Sequence, residues 1–185
     1  MGKALLEVDL LYSGRLDEIM ALHPEAETVL DIGCGNGRNT KYFLNKGLDV
    51  YCIDVDLESL KMLIASEADR YTLMPLRCNA NFPLPFRDKT FDIIIDSYLY
   101  TFIRDRMGYA GEVHRILDEN GIFLLEFDMT PHIYTHEKLE KYLHPFICLF
   151  RIERKYRIYH EWGNVANEEL RHVPAISLVM RPKLL

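Results

Sequence analysis

Three glycines at alternate positions, Gly33, Gly35 and Gly37, follow directly on the run Val29-Leu30-Asp31-Ile32. A residue without a Cβ lets the backbone turn sharply and lets a ligand approach it closely. The stretch therefore points to a small-molecule site at the carboxyl end of the first strand of an α/β sheet. Asp54, 19 residues beyond Gly35, closes the next apolar run. Its two carboxylate oxygens suit the vicinal hydroxyls of a ribose, so turn and acid together fit a nucleoside cofactor. A dinucleotide turn needs Gly-x-Gly-x-x-Gly. Counted from Gly33 the third position is Arg38, and counted from Gly35 it is Thr40, which disfavours NAD.

These residues need a scaffold of alternating strands and helices. The apolar spacing predicts one or two short helices within 4–22 and a first strand at Thr28–Ile32. A helix at Asn39–Lys46 precedes Gly47, a C′ cap residue. A second strand at Asp49–Ile53 leads to a helix at 57–68. A third strand is expected near Leu73–Cys78, although Pro75 removes a ladder donor. Phe91–Ile95 reads as a strand buried on both faces. Met107, Ala110, Val113 and Leu117 space a helix that Asn120-Gly121 stops. Ile122–Phe127 is a fifth strand and Thr135–Leu143 a helix. Phe146–Tyr159 and Val173–Met180 read as two final strands. The alternation implies a parallel sheet with right-handed crossovers in a single domain, 1–185, with 1–25 as an N-terminal helical segment able to act as a lid.

The spacing acid-x-Gly-x-Gly-x-Gly, Asp31 through Gly37, resembles the first motif of the class I S-adenosylmethionine-dependent methyltransferases, in particular the type 11-like domain. Three downstream segments follow in the family's order. Asp54 stands at the ribose-binding acid, followed by Val55. Asn79-Ala80-Asn81-Phe82-Pro83-Leu84-Pro85-Phe86, then Thr90-Phe91-Asp92, resembles Asp-Ala-x-x-Leu-Pro-Phe followed by Ser/Thr-Phe-Asp. Glu119-Asn120-Gly121 stands where members have Lys-Pro-Gly-Gly. The resemblance covers about residues 28–181. It implies a Rossmann-like, doubly wound, seven-stranded sheet in three αβα layers, mostly parallel with an antiparallel last strand. It also implies S-adenosylmethionine as cofactor, held by Asp31, Gly33, Cys34, Gly35, Gly37, Asp54, Val55, Asn79, Ala80 and Asp96. Asn79 replaces an aspartate that accepts from the adenine amino group; its amide carbonyl can accept as well. Ala80 leaves its backbone N–H for adenine.

In the family the strand end at Asp96 lies beside the reactive methyl. Asp96 is thus the one candidate general base, otherwise a group that binds water, substrate or cofactor. Tyr98 and Tyr100 follow it, and an aromatic face attracts a sulfonium; core packing is the competing role for at least one of them. Tyr12, in the N-terminal segment, is a candidate acceptor contact.

Other readings are narrowed by composition. Residues 1–135 hold 13 Lys+Arg against 22 Asp+Glu, a net −9, while 136–185 hold 9 against 6, a net +3. An acidic catalytic half disfavours nucleic acid, which needs a basic footprint. The cluster Arg151, Arg154, Lys155 and Arg157 is the counter-signal, read otherwise as a solvated edge strand. Cys34, Cys52, Cys78 and Cys148 lack zinc spacing and read as small buried hydrophobes, with Cys34 alone placed for a functional thiol. His132 and His136 are a weak metal pair, and no metal site is expected. Neither a membrane span nor a signal peptide is read, so a cytoplasmic protein is the expectation. No Asn/Asp-Pro-Pro-Tyr/Phe and no Pro-Cys follows the fourth strand, which disfavours amide, exocyclic-nitrogen and cytosine-carbon acceptors. Only Met129–Tyr134 separates the fifth strand from its helix, leaving little room for a recognition insert. The leading expectation is in-line methyl transfer to a small-molecule acceptor. The alternatives are an RNA- or protein-modifying enzyme with a partner, and a non-catalytic cofactor-binding module. A homodimer or partner protein is compatible with each.

Overall fold

A computed structural model describes residues 6–7, 12–128, 136–163 and 170–183. In chain order the elements are β1 (Leu6–Glu7), α1 (Tyr12–Leu22), β2 (Thr28–Ile32), α2 (Arg38–Asn45), β3 (Asp49–Asp54), α3 (Leu57–Ser66), β4 (Leu73–Arg77), β5 (Phe91–Ser97), a 3₁₀ turn (Tyr100–Phe102), α4 (Arg106–Ile116), β6 (Leu117–Asp128), α5 (His136–Leu149), β7 (Phe150–Gly163) and β8 (Leu170–Pro182). The strands form one sheet in the order β1-β7-β8-β6-β5-β2-β3-β4. Among the described strands, β8 alone runs antiparallel to its neighbours, β6 and β7. All seven expected strands are present, with the last one antiparallel.

Successive side chains of a strand point to opposite faces, and two cores result. Val29, Ile93, Ile95 and Leu124 pack with Leu16 and Ile19 of α1 and with Phe43 and Leu44 of α2. Leu30, Ile94, Phe123 and Leu125 pack with α4 and α5 on the other face. α3 covers Cys52 through Leu60 and Leu63. The layers are therefore helix, sheet and helix.

Three local expectations are corrected by tertiary contacts. Leu6–Glu7, expected as helix, forms a strand because it pairs with Tyr156 and Arg157 on the free side of β7. The helix expected to stop at Leu143 continues to Leu149 through Pro145. Pro145 supplies no N–H for the helix, but Leu143, Phe146 and Phe150 are all fully buried around it. Their burial outweighs the lost bond. β6 begins at Leu117, paired with Phe91, and its pairing with β5 shifts before resuming at Ile122 opposite Ile93. Asn120-Gly121 therefore lies within the strand's bounds rather than after a helix. Pro75 is accommodated because β4 is an edge strand. Val50 N–H donates to Thr72 O and Cys78 N–H to Asp54 O. Even-numbered residues of β4 thus face β3, and the Pro75 nitrogen turns to the open side.

Candidate functional site

The glycine turn leaves the end of β2 and crosses over the end of β3. Gly33 N–H and Cys34 N–H both donate to Ile53 O, at 2.7 and 3.1 Å. Gly33, Gly35 and Gly37 have φ of +73°, +52° and +84°. That region is costly for L-residues, roughly 1–2 kcal/mol each. A Cβ on Gly33 would touch Leu99, so the turn lies against the loop that leaves β5. A Cβ on Gly35 would meet nothing within 4 Å. Gly35 therefore faces open space, where a flat ligand edge fits against bare backbone.

Two carboxylates hold this turn. Asp31 is buried at the end of β2 and accepts from Thr40 N–H at 3.0 Å and Thr40 Oγ1–H at 2.6 Å, which ties β2 to the first turn of α2. Burial pushes its pKa up, opposed by those donors. With no accessible surface to spare, Asp31 shapes the turn rather than facing a ligand. Asp54 is half-buried at the end of β3. It accepts from Gly35 N–H and from Asp56 N–H, both at 2.8 Å. The distance in sequence between Gly35 and Asp54 becomes a direct contact, and the acid sits at the rim of the open space. Val55, next to it, is 53% exposed.

Asn79 and Ala80 follow β4 at the same end of the sheet. Asn79 Oδ1 accepts from Asn81 N–H at 3.0 Å and from the Asn81 amide at 3.3 Å. A backbone N–H requires an acceptor, so the carbonyl side of Asn79 is committed locally. What Asn79 offers a ligand is its amide N–H, a change from the acceptor role expected of it. Asn81 was not singled out in the sequence, yet it clasps the loop after β5 through Phe102 O and Arg104 N–H. Phe82 and Phe102, 66% and 73% exposed, flank that clasp.

The loop after β5 departs most from expectation. Asp96 is completely buried. It accepts from Leu99 N–H at 2.9 Å, Tyr100 N–H at 3.1 Å and Tyr109 Oη–H at 2.7 Å. Burial raises its pKa to about 7 against the pull of those donors. A general base must reach its substrate, so Asp96 is corrected from candidate base to the post that folds this loop. Tyr100 is corrected as well. It has no exposed surface and donates to Tyr142 O at 2.8 Å, so it belongs to the core. Tyr98 remains beside the site. It adopts φ +72°, rare for a bulky side chain, and its N–H donates to Glu126 O at 2.8 Å. Its ring is half-buried against the α1–α2 core, and burial, then the charge of Glu126, pushes its hydroxyl pKa up. Tyr12 opens α1, but its side chain lies outside the described residues.

The remaining candidates resolve into structure. The Cys34 thiol is buried, and its pKa is pushed up by a hydrogen bond with Cys52 and by burial, which makes it inert. His132 and the side chain of His136 lie outside the described residues, and no metal-ligating cluster occurs among the described ones. The basic strip of β7 carries its own counterions. Arg151 pairs with Glu153 and Arg154 with Glu18. Burial lowers the pKa of Lys155. The Arg157 side chain lies outside the described residues. No described helix is long and apolar enough to cross a membrane.

The profile of the methyltransferase domain matches residues 30–125, more than half of the chain. The chain belongs to the methyltransferase domain family. The domain is S-adenosylmethionine-dependent, and the glycine turn, Asp54 and the Asn79-Ala80 segment fit that cofactor: an open bare-backbone edge beside an acid and amide donors. Among solved structures it superposes on a SAM-dependent methyltransferase from Methanosarcina mazei, with a TM-score of 0.70 at 20% identity, covering 96% of this chain and 100% of that one. It also superposes on a methyltransferase in complex with the Trm112 activator of Haloferax volcanii, with a TM-score of 0.68 at 17% identity, covering 92% and 89%. Among curated proteins it is 30% identical over 125 residues to the demethylmenaquinone methyltransferase of Corynebacterium urealyticum, covering 68% of this chain and 51% of that one. It is 30% identical over 95 residues to the human mitochondrial arginine-hydroxylase NDUFAF5, covering 51% and 27%. The matched stretch is thus only about a quarter to a half of these relatives' own lengths.

Asp54→Ala in this methyltransferase domain is expected to weaken binding of S-adenosylmethionine or S-adenosylhomocysteine at least ~10-fold, about 1.4 kcal/mol. The variant loses the carboxylate at the rim of the open edge and frees the Gly35 N–H together. Calorimetry reads this directly, and an unchanged affinity removes Asp54 from the site.

Proposed function

We propose that this domain transfers the cofactor's methyl group in line to a small-molecule acceptor. The observation that carries the reading is the convergence at one end of the sheet. The open edge at Gly35, Asp54, the Asn79 segment and the strained Tyr98 loop all lie at the carboxyl ends of β2, β3, β4 and β5. In a doubly wound sheet this is where ligands bind. The cofactor supplies a methyl on a positively charged sulfur, and the protein's contribution is alignment of donor and nucleophile. Val55 and Phe82 present apolar surface near the adenine-side segment. Asp54 grips the ribose. Tyr98 presents an aromatic face next to the strand end nearest the sulfur. With Asp96 and Tyr100 committed to the interior, the acceptor arrives as its own nucleophile or loses its proton to a group other than Asp96.

The small acceptor is supported by the brief connection from β6 to α5, seven residues between described elements, and by the likeness to a demethylmenaquinone methyltransferase. The counterions on β7 weigh against an RNA track. Transfer of labelled methyl to small acceptors, unaffected by salt, is the expected result. Transfer only to macromolecules, falling with salt, supports the second reading: an RNA- or protein-directed enzyme with a partner subunit. The exposed apolar side chains Met62, Ile64, Tyr71 and Leu76 around α3 and β4 favour such a partner surface. Bound cofactor with no transfer to any acceptor marks a non-catalytic module.

A further inference from the structure

A row of polar residues crosses four strands beneath α1. Ser97 of β5 stands opposite Glu126 of β6, Glu126 opposite Ser177 of β8, and Ser177 opposite Tyr156 of β7. All four face α1. Arg15 of α1 donates to Glu126, whose second oxygen accepts from Ser97 Oγ–H at 2.8 Å. Tyr156 Oη–H donates to Glu18, one helical turn after Arg15. Ser177 lies between Ala175 and Val179, which pack in the same α1-side core. A sheet face under a helix is ordinarily apolar, and toward the amino ends of β5 and β6 this one is, at Ile95, Leu124 and Val179.

Two buried atoms of this seam have no hydrogen-bond partner among the described residues: Ser177 Oγ and Glu18 Oε2. Ser177 has no exposed surface at all. Buried polar atoms in native proteins are nearly always partnered, and each exception calls for an explanation. The row also has a direction. It starts at Ser97, the last residue of β5, beside the φ +72° turn at Tyr98, and runs away from the cofactor side. At about 4.8 Å per strand, Ser177 lies roughly 10 Å along it.

We propose that this seam is the acceptor subsite and that α1 is its cover. The ligand it fits is a small molecule whose head group donates hydrogen bonds, an amine or a hydroxyl. A carboxylate oxygen only accepts, so Glu18 Oε2 requires an N–H or O–H. Ser177 Oγ then accepts from or donates to the same head. A carboxylate or phosphate head brings no proton for Glu18 Oε2, and the cations facing the seam, Arg15 and Arg154, already pair with Glu126 and Glu18. The inference rests on the methyl-transfer reading, because it uses that reading's acceptor end of the sheet.

The test compares benzylamine, benzyl alcohol and benzoate, which share a ring and differ in the head group. Each is titrated into the full chain saturated with S-adenosylhomocysteine and followed by amide chemical shifts. The expected result is that the amine and the alcohol move residues 97–98, 126 and 177 while benzoate does not. Ser177→Ala and Glu18→Gln each weaken amine binding at least fivefold and leave S-adenosylhomocysteine affinity within twofold. Ser177→Ala alone keeps or raises the Tm of the ligand-free protein, since it removes an unpartnered hydroxyl. Equal shifts with all three probes, indifference to both variants, or no binding because the seam holds only water each overturn the proposal. So does a Tm drop of several degrees in Ser177→Ala, which would mean the hydroxyl is already bonded. Failure of S-adenosylhomocysteine itself to bind strikes the methyl-transfer reading instead, so the two failures are distinguishable.

Discussion

Glu126→Ala is expected to lower the unfolding free energy by about 3–5 kcal/mol, the largest single-residue effect at this end of the sheet. Glu126 is fully buried and Arg15 only 4% exposed. Arg15 donates to one carboxylate oxygen and Ser97 to the other. Removing the carboxylate takes from the Arg15 guanidinium its opposite charge and from the Ser97 hydroxyl its acceptor in a low-dielectric seam. The pair itself need not be strongly stabilising. Replacing both members by apolar residues of similar volume is often neutral or better. The double variant Arg15→Met/Glu126→Leu is therefore expected to recover most of the loss. Urea denaturation of the two single variants and the double variant checks this. A loss below about 1 kcal/mol for Glu126→Ala would show that the pair is screened by water and that α1 sits loosely.

Asp96→Asn is expected to abolish a pH dependence of stability between about pH 4 and pH 7. Burial raises the folded pKa of Asp96 to about 7, above its ordinary value of 3.8. Between those values the native state binds a proton that the unfolded chain has released. Stability from this group is therefore fully present below pH 4 and is lost as pH rises through 7. A shift of about three pKa units corresponds to as much as ~4 kcal/mol. Asparagine keeps an oxygen for Leu99 N–H and Tyr100 N–H, and its amide can donate to Tyr109 Oη, which turns from donor to acceptor. It carries no charge to desolvate. The wild-type minus variant difference in unfolding free energy should thus fall with rising pH, with the variant the more stable at pH 8. A flat difference would mean that Leu99, Tyr100 and Tyr109 hold the carboxylate ionised throughout.

How legible the site was depends on how local its physics is. The glycine turn is the clearest case. Three positive φ angles within five residues need glycine whatever surrounds them, so the pattern shows in the residue types. Asp54 was legible because a strand, a helix and a turn fix its distance from Gly35 through ordinary connection lengths. Asp96 and Tyr100 show the opposite. A carboxylate and a phenol after a strand look alike in sequence whether they face solvent or the core. Tyr109 and Tyr142, 13 and 42 residues away from their partners, decided that they face inward. Asn79 looked like an adenine acceptor, and a residue only two positions on claimed its carbonyl.

The chain's residue order by itself determined the strand–helix alternation, the sharp glycine turn after β2 and the family, because these rest on periodicity, backbone freedom and short spacings. Only the tertiary structure decided that Leu6–Glu7 is a strand, that Asp96 is interior, and that Arg15 and Glu18 of α1 meet Glu126 and Tyr156, 111 and 138 residues away. Such pairings leave no periodic trace. They form because burying a charge or a phenol is costly until a partner closes over it. That partner is supplied by whichever distant segment the sheet order brings alongside.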